Sequence, residues 1–217
     1  MSYWDHRKPV RRTRAVDVHD IARAAVVLLD EGGLRALTAR AVAGRLGVAP
    51  ASLYSRVESV DDLFDLALDE ALGSDAMLNE AIAEASLLAM MQAYFRHLVH
   101  NRWACQVLGM RAPRGPNYLR LSERMVILLD QAGAMEPLGA AYALSNFTIG
   151  SATTAPMAES ERTAPVDPEI APAYARLHAE SDIDTEAVFT AGLSALLEHV
   201  SRGDVTPSRT SLERVNR

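Results

Sequence analysis

Residues 21–68 read IARAAVVLLDEGGLRALTARAVAGRLGVAPASLYSRVESVDDLFDLAL. The spacing of their apolar positions decides the fold. Ile21, Ala24, Ala25, Leu28 and Leu29 recur at i, i+3, i+4, i+7 and i+8, the stripe of an amphipathic helix. Asp17 or Asp20 can cap its start, and Gly32-Gly33 ends it. Thr38 is a natural N-cap for a short second helix with Ala39, Val42, Ala43 and Leu46 on one face. Gly47 stops that helix, because glycine takes positive φ freely. Pro50 suits the first turn of a third helix, where a missing N–H costs nothing, and Leu53 and Val57 share its inward face. Ser59 followed by Asp62 predicts a capping box. It opens a fourth helix striped by Val60, Leu63, Phe64, Ala67, Leu68 and Ala71.

Helix, glycine turn and helix within about 20 residues is the helix-turn-helix plan, here about 38–57. Its second helix can enter a major groove, which is wide enough to admit one. The outward residues on that helix are Pro50, Ala51, Ser52, Ser55 and Arg56. The same geometry also occurs in proteins that bind no DNA, so spacing alone leaves nucleic acid and protein partners both open.

Outward from this segment, charge is split. The 217 residues carry a net −6, yet residues 1–57 hold ten Lys/Arg against five Asp/Glu, leaving −11 on the rest. A basic head on an acidic body implies two tasks, with the head meeting an anion. Its basic residues begin with an arm over 1–14 that includes Arg11, Arg12 and Arg14. The composition, 49% hydrophobic and 23% charged, is that of a globular chain. One cysteine, Cys105, excludes an internal disulfide framework and any cysteine-built zinc site. No apolar run reaches membrane-spanning length and none follows the charged start, so the expectation is a soluble, cytoplasmic protein without a membrane partner.

Residues 15–75 resemble the DNA-binding head of TetR-type (tetracycline-repressor-like) bacterial regulators. Gly32, Leu37-Thr38, Leu46-Gly47-Val48, Leu53-Tyr54 and the Ser59…Leu63-Phe64 helix start carry the resemblance. It implies that Thr38 and Tyr54 meet backbone phosphates and that Arg40 reads a base edge, with bidentate contact to guanine as the chemistry. It also implies that Pro50, Ala51, Ser52 and Arg56 face the bases. Two departures stand out. The family's lysine at the start of the fourth helix is Val60 here, followed by Asp61 and Asp62, which repel DNA. The usual His-Phe after Leu-Tyr is Arg56-Val57. Arg56 and the arm are expected to offset the lost anchor.

Beyond residue 75 the pattern is helical throughout: one long helix from Ala76 to about Arg102, then Trp103–Arg111, Asn117–Gln131, Glu136–Thr154, Glu169–Glu180 and Thr185–Arg202. The class is all-α, with an arm (1–14), a head (15–75), a ligand-binding and dimerisation body (76–203) and a tail (204–217). Glu136–Thr154 and Thr185–Arg202 are apolar on two sides and rich in small residues. The resemblance implies that they pair with their copies in a homodimer, through Leu138, Tyr142, Ser145, Phe189, Gly192 and Leu196. Methionines and aromatics of the middle helices are candidates for an adaptable apolar pocket: Met91, Tyr94, Phe95, His97, Trp103, Met110, Tyr118, Met125 and Phe147. His97 and His100 offer a polar handle, but nothing beside them has metal-ligand spacing, and no metal or cofactor is expected. The histidine with which the tetracycline-repressor branch holds its drug falls on Ala76, so tetracycline is not expected either.

No phosphate loop, HExxH or nucleophile elbow is present. The expected function is a repressor released from a palindromic double-stranded operator by a small, mostly apolar effector. The alternatives are a helical protein-interaction module and an all-α enzyme.

Overall fold

The computed structural model describes residues 2–6, 16–180 and 183–201; Arg11, Arg12, Arg14 and the tail lie outside them. Among the described residues there are twelve α-helices and no strand. The head comprises α1 (Val18–Gly32), α2 (Ala39–Arg45), α3 (Pro50–Leu53) and α4 (Val60–Ser74). Asp17 caps α1 by accepting from the His19 N–H at 2.9 Å. Thr38 caps α2 through the Ala41 N–H at 3.0 Å. The turn after α2 is a Schellman closure: Gly47, at φ 65°, donates to the Gly44 carbonyl, and Val48 donates to that of Ala43. A Cβ at Gly47 would strain that left-handed backbone.

The body comprises α5 (Ala76–Glu84), α6 (Leu87–His100), α7 (Arg102–Met110), α8 (Pro116–Gln131), α9 (Pro137–Thr154), α10 (Ala158–Thr163), α11 (Pro172–Glu180) and α12 (Thr185–Ser201). The long helix expected over 76–102 is two helices, α5 and α6, and α7 matches the separate helix expected over 103–111. Asp75 caps α5 through the Leu78 N–H, and Ser86 caps α6 through that of Ala89. Ser86 supplies the break that apolar periodicity alone does not register. Helix α6 lies at the centre of the body, with Met90, Met91, Tyr94, Phe95, His97 and Leu98 all buried.

Helix α4 joins head to body, packing against α1 on one side and α5, α7 and α8 on others. Every residue from Asp62 to Asp69 is buried, three aspartates among them. A buried carboxylate needs partners, and each has them. Asp62 accepts from the Glu58 N–H at 2.6 Å and lies 3.2 Å from His6 Nε2. Asp65 accepts from the Ser2 hydroxyl, the Tyr3 N–H and the Arg111 guanidinium. Asp69 accepts from the backbone and side chain of Asn117. Burial pushes the Asp69 carboxyl up, and these N–H donors only partly offset it.

Three expectations change here. The capping box is incomplete, because the Ser59 side chain makes no cap bond and Asp62 reaches back to Glu58 instead. Asp61 and Asp62 are not a free acidic face toward DNA: Asp61 pairs with Arg111 at 2.6 Å, and Asp62 is inside. The arm expected over 1–14 is docked at residues 2–6. Tyr3–Asp5 form a 3-10 turn docked on α4, with Tyr3 buried.

Candidate nucleic-acid interface and effector pocket

The turn between α2 and α3 presents one polar surface. Leu53 and Val57 are buried, whereas Thr38, Arg40, Pro50, Ala51, Ser52, Tyr54 and Ser55 are exposed. Regular α-helix extends only over Pro50–Leu53, shorter than the rod expected over 50–57. Two bonds to the Leu53 carbonyl, from the Arg56 and Val57 N–H groups, close the segment. The Ser55 hydroxyl donates to the Ser52 carbonyl at 2.7 Å, holding the exposed edge in shape. Arg45 of α2 grips Glu31 of α1 through both terminal guanidinium nitrogens at 2.7 and 2.8 Å, a bidentate pair across the two helices.

Arg56 differs from its neighbours. It is half-buried, and its Nε donates to the Val16 carbonyl at 2.9 Å. A base-facing arginine thus becomes a tether, which fixes the residues entering α1 against the turn.

In the body, Met91, Tyr94, Phe95, His97, Trp103 and Met125 are buried, and Tyr118 and Phe147 are half-buried. Met110 is no pocket residue: it ends α7 and is 58% exposed. Trp103 spends its indole N–H on Asp30 of α1 at 2.7 Å. His97 Nδ1 bonds the Asp75 carboxylate at 2.8 Å, at the joint between α4 and α5. Burial pushes the His97 imidazole below its ordinary value despite that carboxylate. Burial alone would raise Asp75, but the Leu78 N–H and His97 outweigh it and hold the carboxyl low. Among the described residues, no three His, Cys, Asp or Glu side chains gather as a metal site would require.

Of the residues assigned to pairing between copies, Leu138 and Tyr142 on α9 are 62% and 65% exposed. Leu196 and Ser145 are half-buried, and the Ser145 hydroxyl faces Met125 Sδ at 3.7 Å. Phe189 is not on that face. It is buried in its own protomer, stacked between Phe95 and Phe147 with centroids at 4.3 and 5.4 Å. Gly192 serves the same cluster, since a Cβ there would lie 2.6 Å from the Phe147 ring. Periodicity marked these positions as apolar without distinguishing a core aromatic from an outer one.

Sequence reasoning missed Asp65, Asp69, Arg111 and Asp30. The aspartates at 62, 65 and 69 do carry a signal, because they repeat at helical spacing within an apolar helix. Their partners, Ser2, Arg111 and Asn117, lie more than 40 residues away in sequence.

Two sequence profiles match the chain. That of "Bacterial regulatory proteins, tetR family" covers residues 21–67, and that of "Tetracyclin repressor-like, C-terminal domain" covers residues 79–202. The chain belongs to the tetR family. An HTH-type transcriptional regulator from Saccharopolyspora erythraea is 36% identical over 153 residues, 68% of this chain and 65% of its own length. The HTH-type transcriptional repressor DrrR1 of Streptomyces coeruleorubidus is 30% identical over 156 residues, 69% and 58% of the two lengths. The chain therefore spans less than two-thirds of these relatives. Among solved structures, the Streptomyces coelicolor TetR family protein ActR, in complex with actinorhodin, superposes with a TM-score of 0.67 at 23% identity, over 88% of this chain and 98% of that one. This TetR-family chain shares that all-α fold. No helix among its described residues is long and apolar enough to cross a membrane.

Proposed function

We propose that this chain is a homodimeric repressor that binds a palindromic DNA operator through α2, α3 and the turn between them, and releases it when a small, mostly apolar molecule enters the body. The carrying observation is the exposed row of Thr38, Arg40, Pro50, Ala51, Ser52, Tyr54 and Ser55 above the buried Leu53 and Val57. Thr38 and Tyr54 supply hydroxyls for phosphates, and Arg40 supplies a fork for a guanine edge. The DNA role is supported by relatives described as an HTH-type regulator and an HTH-type repressor. The effector role is supported by ActR, which holds actinorhodin. Exposed Leu138 and Tyr142 on α9 and Val188 on α12 offer an apolar face for a second copy. Two heads one duplex turn apart then read a palindrome.

Release follows from geometry. Helix α4 runs from Val60 beside the DNA-facing turn to Asp75, which His97 grips inside the body. A ligand that favours a displaced α4 spoils the head spacing; about 100-fold release needs about 2.7 kcal/mol of coupling. Mobility shift of duplexes from the DNA flanking the protein's own coding sequence tests the reading. Retention of one duplex against excess random competitor supports it. Equal retention of all sequences, or of none, contradicts it and favours a protein-interaction module.

A further inference from the structure

Two polar atoms of α6 are buried in the centre of the body: Nε2 of His97, in a residue 2% exposed, which has no partner, and the hydroxyl of Tyr94, in a residue 1% exposed, which meets the Tyr118 side chain. They lie one turn apart on α6 and so share a face, together with Met90. The wall opposite the Tyr94 hydroxyl is made by Tyr118 of α8 and Cys105 of α7. Tyr118 also lines the crevice under Trp4, between α4 and the loop leading into α8. Buried polar atoms are almost always satisfied, and an imidazole nitrogen left over one turn from a buried tyrosine pair needs an explanation.

The chemistry of each atom is fixed by its neighbours. Asp75 is held ionised, and an ionised carboxylate only accepts, so His97 Nδ1 carries the proton in their bond. Burial keeps the ring neutral, which leaves Nε2 with a lone pair and no proton. Nε2 is therefore an acceptor waiting for a donor. The Tyr94 hydroxyl can donate to an oxygen nearby. An anion would meet that lone pair with the Asp75 charge behind it.

Resting on the effector reading above, we infer that Tyr94 and His97 form the polar end of the effector site, and that the effector is a neutral, mainly aromatic or alicyclic molecule bearing a hydroxyl that donates to His97 Nε2. Met90 and Met91 beside them are unbranched and repack readily around such a ring. Because His97 also holds Asp75, which ends α4 and caps α5, a ligand seated there bears directly on the helix that carries the head.

Calorimetric titration of the full chain with 2-naphthol and with 2-methoxynaphthalene tests this, since the two share a shape and only the first donates. The expected result is about tenfold tighter binding of 2-naphthol, with the gap closing in His97→Leu, a variant that leaves the part-exposed Asp75 to water. Tyr94→Phe, which removes one hydroxyl and keeps the ring, is expected to fold and to weaken both probes equally with the gap preserved. Equal affinities for the two probes, unchanged in His97→Leu, overturn the handle while leaving an effector-binding body intact. Binding of neither probe, with operator binding retained, overturns the handle and counts against the effector reading as well.

Discussion

Trp103 of α7 donates its indole N–H to the carboxylate of Asp30 near the end of α1, 2.7 Å away, so a buried side chain of the body is fastened to the head without passing through α4. Helix α4 is thus joined by a second connection between head and body. Helix α7 is thereby bonded directly to α1, which Arg45 of α2 in turn grips through Glu31.

Removing the acceptor tests that fastening. Asp30→Ala strands a buried indole N–H and should lower the unfolding free energy by about 1–3 kcal/mol, with Asp30→Asn, which keeps an acceptor, losing less than half of that. Urea denaturation measures both.

The Arg111–Asp65 pair is deeper. Asp65 is 5% exposed and relies on Arg111, Ser2 and Tyr3. Arg111→Met leaves a buried carboxylate short of its counter-charge and should cost about 3–5 kcal/mol. Changing both partners, with Asp65→Leu, should recover most of the loss. Thermal and urea unfolding of the single and double variants decide it.

The docked first turn separates two roles at the N-terminus. Deleting residues 2–6 exposes the Tyr3 site on α4 and should lower stability. Replacing Arg11, Arg12 and Arg14 with alanine should leave stability alone and reduce the salt slope of operator binding by about 0.9 for each arginine that meets a phosphate. Titrations at several salt concentrations, beside melting curves, distinguish the two.

Arg40→Ala should cost roughly 1–3 kcal/mol at the operator and relax preference at one base pair, whereas loss of the Tyr54 hydroxyl should weaken all duplexes alike. Equal weakening by Arg40→Ala on every sequence would make it a phosphate contact.

Acid should destabilise the fold through His97. Its folded value lies below that of the unfolded chain, so its contribution is complete above the unfolded value and declines as pH falls through about 6.5. Between about pH 7.5 and 5.5, wild type should lose more unfolding free energy than His97→Gln.

The head was legible because its signals are local: Thr38 as a cap, Gly47 as a stop, Pro50 as a first-turn residue, Leu53 and Val57 as an inward pair. Each acts within one turn of itself. What stayed hidden was long-range and polar. Nothing near Asp65 in sequence points to Ser2 or Arg111, and nothing near Trp103 points to Asp30. Apolar spacing likewise placed Phe189 on a helix stripe but could not tell that Phe95 and Phe147 close around it. The break at Ser86 depended on a side-chain cap inside an unbroken apolar pattern.

The most direct test of the account is fluorescence anisotropy of the full chain on a labelled duplex from the DNA beside its own coding sequence, from about 50 to 200 mM salt with excess random duplex present. Expected are saturation at two chains per duplex, resistance to the competitor, a steep loss of affinity with salt, and weaker binding with preference relaxed at one base pair in Arg40→Ala. Binding that random duplex abolishes at every salt concentration, or that saturates at one chain with Arg40→Ala indistinguishable from wild type, contradicts it.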